Sequence, residues 1–240
     1  EKSGNLDNVD AWIRMVAINR LTGHSAGFFS VYSLPPNQAV SAKRQKKINE
    51  QRNQIPEYRP IKPRIIKKSK SLLKDWKGNR LDDFWNDITG ILSTSDSRNG
   101  GLIPTDSATL VVTSPPFLDV VDYQGDNWLR CWFIGIDSET IKISQLKKIE
   151  EWEKTMTDVL RDLKRIVKPG GHIAFEVGEV RGGKILLEEN VIHCGIEAGL
   201  EPIIIMINDQ EFTKTANAWG VENSKKGTNT NRIVIFRNDG

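Results

Sequence analysis

Cysteine is nearly missing from this sequence: there are two, Cys131 and Cys194, and only three histidines in 240 residues. They are far apart and follow no metal-ligand spacing, so a Cys/His zinc site is not expected and no metal is assigned. Both cysteines read as small buried hydrophobes in a chain kept in a reducing cytoplasm. Long apolar runs are missing too. None approaches the about 18 residues of a membrane-spanning helix, and no signal peptide is visible, so no membrane is expected as a partner. Acidic residues are scarce in one place. Residues 43–77 hold 13 Lys/Arg against 3 Asp/Glu, a local +10 inside a net charge of +3. Such a block attracts phosphates, with a solvated charged linker as the plainer alternative.

What is present describes a globular domain with an appendage: 38% hydrophobic and 27% charged residues. Apolar spacing predicts helices over residues 10–21, capped by Asp10, and over 41–53, 81–91, 145–167 and 186–198. Asp126 is expected to cap another helix, carrying Trp128, Leu129, Trp132 and Phe133 into a core. Lys168-Pro169-Gly170-Gly171 reads as the stop after residue 167. Pro56, Pro60 and Pro63 predict extended chain before a second basic stretch. Residues 28–32 read as a short strand or an apolar plug, His24 as a loop residue, and Leu34-Pro35-Pro36-Asn37 as a turn. Apolar runs at residues 173–177, 203–207 and 233–236 predict strands. Alternating strands and helices predict a parallel α/β sheet. The expected division is a basic, mostly helical or extended appendage over residues 1–80 and an α/β domain over 81–240.

One further run organises the chain. Leu110-Val111-Val112-Thr113 reads as a buried parallel strand, and Ser114-Pro115-Pro116-Phe117 breaks it. Ligands of open α/β sheets bind at such carboxyl ends. A stiff Ser-Pro-Pro loop offers carbonyl oxygens and one hydroxyl, and Phe117 adds a flat face. That set suits a planar ring bearing an exocyclic amine; an ordinary strand exit is the alternative.

Thr113-Ser114-Pro115-Pro116-Phe117 resembles the catalytic (S/N/D)-P-P-(Y/F/W) motif of DNA amino-methyltransferases, and its TSPP form is most like the cytosine-N4 group. The resemblance continues through Asp119 to Trp128, Lys168-Pro169-Gly170-Gly171, Glu176-Val177-Gly178-Glu179-Val180 and the tail from Phe212 to Arg232. It implies a Rossmann-like methyltransferase fold with a basic helical insertion. It also implies a site-specific DNA methyltransferase, of the restriction–modification kind, using S-adenosyl-L-methionine on cytosine N4 in preference to adenine N6. Ser114, Pro115, Pro116 and Phe117 are then catalytic, and Asp96, Thr113 and Ser114 hold the cofactor. An Asx-turn is the alternative for Asp96. Tyr123 supplies an aromatic face to the target base. Lys214, Lys225, Lys226 and Asn229, in the long polar segment 210–231, suit phosphate positioning on DNA, with a surface hairpin as the alternative. Glu176 and Glu179 receive no proton-transfer role.

The family's glycine-rich D-x-F-x-G-x-G loop has no counterpart here, and the first strands of the fold are not recognisable. Three readings stay open: a piece of a longer protein, one chain of a split enzyme whose partner or upstream segment supplies that loop, or a derived module that binds DNA without catalysis.

Overall fold

Ile149, Trp152, Met156, Val159, Leu160, Leu163 and Ile166 fall at helical spacing, and this stripe makes the longest helix among the described residues. The computed structural model describes residues 6–23, 25–30, 41–76, 90, 92–116, 118, 123–141, 144, 146–178, 185–209 and 230–240, for 126, 209 and 230 the backbone alone. By its internal packing the chain divides into two units. One comprises Glu1–Gly90 and Asp122–Ile143, the other Ile91–Val121 and Ser144–Gly240.

The first unit is helical: α1 (Asn8–Ile18), α2 (Ala42–Gln51), α3 (Ile61–Leu72), α4 (Tyr123–Ile134) and a 3-10 turn at Ser138–Thr140. Asp7, not Asp10, caps α1: its side chain accepts from the Asp10 N–H at 2.7 Å. The capping oxygen must come from the residue before the helix, and Asp10 already lies in the first turn. Ser41 caps α2 in the same way. Pro63 is not extended but sits inside the first turn of α3, where the N–H it lacks would have had no intrahelical partner. Trp12 Nε1 donates to Ser69 Oγ at 2.9 Å and ties α1 to α3. Arg64 donates to the carbonyls of Ala26 and Pro60 at 2.9 and 2.8 Å, and Arg59 donates to that of Phe28 at 3.3 Å. Arg20 lies over the Phe28 ring, 4.7 Å from its centroid. Among the described residues of the 28–32 stretch, Ser30 forms an isolated bridge with Thr22. Helix α4 begins three residues before Asp126, so Asp126 is not its cap. Trp132 on that helix is exposed, against the core reading.

The second unit holds a four-stranded mixed sheet: β1 (Ala108–Thr113), β2 (Val167–Gly178), β3 (Glu201–Asp209) and β4 (Thr230–Arg237), in the order β1-β2-β4-β3. Helices α5 (Ile149–Ile166) and α6 (Leu187–Glu197) complete it. Strands β1 and β2 are parallel, but β4 runs antiparallel to both β2 and β3. The expected all-parallel sheet is therefore corrected to a mixed one. Antiparallel pairing does not require a crossover helix, and β4 pairs in that sense with β3.

Ile173, Phe175 and Val177 of β2 and Val234 and Phe236 of β4 point to one face, where they pack on Trp152, Met156 and Leu160 of α5 and Leu187, Val191 and Cys194 of α6. Burial of each such side chain contributes about 1.5–3 kcal/mol. Gly195 lets the Phe236 ring lie against α6. Both cysteines are buried. On the opposite face Leu110 and Val112 of β1 are 57% and 73% exposed, and Ile204 and Met206 of β3 are exposed as well. The expected burial of β1 is therefore corrected: Val111 is half-buried against the core, and no residue of the strand is fully buried.

Lys168–Gly171 does not end the regular structure; it bulges inside β2. Ala108 opposes Val167, and two residues later Leu110 opposes His172. Gly170 takes φ +79°, and a side chain at Gly171 would meet the Thr109 carbonyl. Asn238, buried beyond β4, closes the bulge. Its backbone accepts from Gly170 N at 2.6 Å and donates to Gly171 O at 3.0 Å. Its amide donates to the carbonyls of Val167 at 2.7 Å and Lys164 at 3.2 Å, which caps α5 as well.

Candidate functional site

Strand β1 delivers Thr113, half-buried against the core side, to the carboxyl end of the parallel pair. Regular structure stops there because neither Pro115 nor Pro116 has an N–H for a ladder. Ser114 is exposed and both prolines are half-buried. The loop is held from beneath. Trp152 Nε1 donates to the Pro116 carbonyl at 3.4 Å, a long hydrogen bond, and Leu118, 1% exposed, plugs into the core beside Trp152. The Pro116 oxygen thus faces inward, and the Ser114 hydroxyl has no hydrogen-bond partner among the described residues. What results is a rigid turn with a hydroxyl at its outer corner.

Asp96 belongs to a different place. It opens an exposed turn in which Arg98 donates to it from the backbone at 2.9 Å and from the guanidinium at 2.6 and 3.0 Å. These hydrogen bonds hold its carboxyl at a pKa of about 2. The chain four residues on is fastened to the C-terminal part of α5. Gly100 N donates to Asp162 at 2.7 Å, and Arg165 donates to the Ile103 carbonyl at 2.9 Å. Trp152 and Asp162 are ten residues apart on α5, about 15 Å. The anchors of the Asp96 turn and of the Ser-Pro-Pro loop therefore lie at opposite ends of that helix. The structure brings Thr113, Ser114, Pro115 and Pro116 together and fastens Asp96 elsewhere.

Tyr123 is the first residue of α4 in the other unit, half-buried, and its carbonyl accepts from Asn127 at 2.9 Å. Phe117, Lys214, Lys225, Lys226 and Asn229 lie outside the described residues, as do His24, the Leu34–Asn37 turn, Glu179 and the 81–91 helix apart from Gly90.

Two relationships escaped the sequence reading. Trp152 was legible as core, yet an indole in an apolar stripe carries an N–H that needs an acceptor. Glu188, in the first turn of α6, and Arg232, on β4, form a nearly buried ion pair at 2.6 Å, their side chains 9% and 13% exposed. Glu188 Oε2 is buried without a hydrogen-bond partner. The first of two glutamates after an apolar run and an Arg near the start of a strand gave no sign of each other across 44 residues.

No family model and no curated protein matches this chain. Among solved structures it is similar over part of its length to a Thermus thermophilus protein provisionally named a DNA modification methylase. In its complex with S-adenosyl-L-methionine, that structure shares 23% identity over 60% of this chain and 54% of the other, with a TM-score of 0.38. A second structure of that protein gives 20% identity, 61% and 52% coverage, and a TM-score of 0.40. A Methanosarcina mazei SAM-dependent methyltransferase gives 9% identity, 60% and 65% coverage, and a TM-score of 0.35. The chain spans about half the length of the Thermus protein. No helix of the described residues is long and apolar enough to cross a membrane.

Proposed function

We propose that this chain carries the amine-holding part of an S-adenosylmethionine-dependent DNA methyltransferase acting on an exocyclic amine, cytosine N4 in preference to adenine N6. The observation that carries the reading is the anchored Ser114-Pro115-Pro116 loop at the end of β1, with Ser114 outward and the Pro116 carbonyl tied to Trp152. An amino nitrogen conjugated to its ring is a poor nucleophile. Oxygens at Ser114 and Pro115 accept its hydrogens and direct its lone pair, so positioning and charge stabilisation do most of the work. The base leaves the duplex stack at a cost of a few kcal/mol, and Phe117 stacks on it to offset that. Lys214, Lys225, Lys226 and Asn229 fit phosphate positioning in this reading, and Tyr123 a base contact.

The family's glycine-rich loop is not recognisable in the sequence. Asp96 is taken up by Arg98, and β1 is the first strand among the described residues. In this reading a second chain or an upstream segment supplies the glycine-rich loop. The test is transfer of a radiolabelled methyl group to duplex DNA. Ser114→Ala lowers the rate by about tenfold, the worth of one hydrogen bond in the transition state, and Phe117→Ala by a similar factor. Transfer that ignores both substitutions refutes the reading.

A second reading is a DNA-binding module without catalysis. Lys43, Arg44, Lys46 and Lys47 stand together on α2, in its basic first turns, and favour it. Calorimetry with S-adenosylmethionine, run with the chain or segment that supplies the glycine-rich loop present, separates the two: heat for an enzyme, none for a module.

A further inference from the structure

We propose that the groove between α1 and α3 takes an amphipathic helix of a partner protein, one with acidic residues along its flank. The groove encloses about 840 Å³. Its floor is apolar: Trp12 and Ile13 from α1, with Ile61, Ile65, Ile66 and Leu73 from α3 and its C-terminal boundary. Ile61, Ile65, Ser69 and Leu73 follow one another at a spacing of four, a single line along the helix. Ser69 is the polar member of that line, and its hydroxyl already accepts from the Trp12 indole at 2.9 Å. The floor thus asks nothing of water. Ile13, Ile61 and Ile66 remain exposed, a clustered apolar surface of the kind that marks an interaction site.

The rim decides the partner. Lys62 and Lys70 border the groove, and neither makes an ion pair with a described residue. Lys67 and Lys68 lie on the same helix, which carries no acid. The arginines nearby are different: Arg59 and Arg64 are occupied by backbone carbonyls of residues 25–28 and Pro60. Ammonium groups beside a dry concave floor match a helix with apolar anchors at i, i+4 and i+7 and carboxylates beside them. Lys62 and Lys70 are eight residues apart, about 12 Å along α3, so the matching acids sit about two helical turns apart. A DNA backbone matches the lysines but leaves the isoleucines without use. An anionic bilayer needs apolar residues that protrude, and these line a hollow.

The experiment is selection of a displayed helical-peptide library on the full chain, followed by anisotropy of the enriched peptide with purified variants. The expected winners carry apolar residues at i, i+4 and i+7 with Asp or Glu about two turns apart. Their binding falls by about tenfold in Ile66→Glu and in the Lys62→Glu/Lys70→Glu pair, and it weakens with added salt. Both substitutions are at the surface, and circular dichroism checks that the helices persist. No enrichment, as for a groove filled by the chain's own residues, overturns the proposal. Winners without acids, or equal binding to both variants and the unaltered chain, overturn it too. So does a short DNA duplex, or a phosphatidylserine vesicle, whose binding is abolished by Ile66→Glu while the peptides' binding is not.

Discussion

The indole N–H of Trp152 reaches the carbonyl oxygen of Pro116 at 3.4 Å, joining the core helix to the loop that follows β1. Trp152 is almost wholly buried, so a protein acceptor of this kind is what its N–H requires there. Trp152→Phe keeps most of the ring and removes the donor. It is expected to cost about 0.5–1.5 kcal/mol in urea unfolding, whereas Trp152→Ala costs about 3–5 kcal/mol. On the proposed function, the Phe variant also slows methyl transfer without weakening DNA binding, because the loop loses its fixed height.

Asn238 ties β4 to the β2 bulge and the end of α5 through four hydrogen bonds, two of them donated by its side chain, whose oxygen also accepts from Gly240 N at 3.2 Å. Asn238→Ala leaves the Val167 and Lys164 carbonyls unpaired in a buried place. The expected loss is about 2 kcal/mol in chemical denaturation, with hydrogen exchange accelerating first at Gly170 and Asn238.

Breaking the Glu188–Arg232 pair removes a charge-assisted contact from a nearly buried place. Either Glu188→Ala or Arg232→Ala is expected to lower stability by about 3–5 kcal/mol, and the double variant by less than the sum. A double-mutant cycle from denaturant midpoints measures the difference.

Asp96 gives a pH signature. Its carboxyl is held down from 3.8 to about 2 by the Arg98 hydrogen bonds. A folded value below the unfolded one stabilises the turn fully above about pH 3.9 and loses that contribution as pH falls toward 2. The pair is exposed and salt-screened, so the visible effect is on titration rather than on global stability. NMR titration is expected to place the Asp96 midpoint near 2 and to move it up in Arg98→Gln.

Periodicity was enough to read α5 and α6, and apolar runs were enough to read β2, β3 and β4, because those signals come from each segment alone. What depended on a second segment was not readable. The direction of β4 is settled by its ladders with β2 and β3, and no residue of 233–236 encodes it. Lys168-Pro169-Gly170-Gly171 carries the usual letters of a stop, but Asn238, nearly 70 residues on, pulls it into the strand. The site followed the same rule. Ser114-Pro115-Pro116 announced a stiff turn by itself, while its fastening to Trp152 needed the helix in place. Asp96 was read from its distance along the chain, and its hydrogen bonds to Arg98 two residues away were not part of that reading.

The sheet is dressed on one side. Val112, Leu110, Ile204 and Met206 look out from the other, in register with Ala174, His172, Ile235 and Ile233 on the middle strands. Ammonium sulfate, which drives such surface out of water, will therefore bring this chain down early, and Val112→Lys will keep it in solution to higher salt. How the protein behaves in a test tube is in that sense written on the side of the sheet that faces away from its helices.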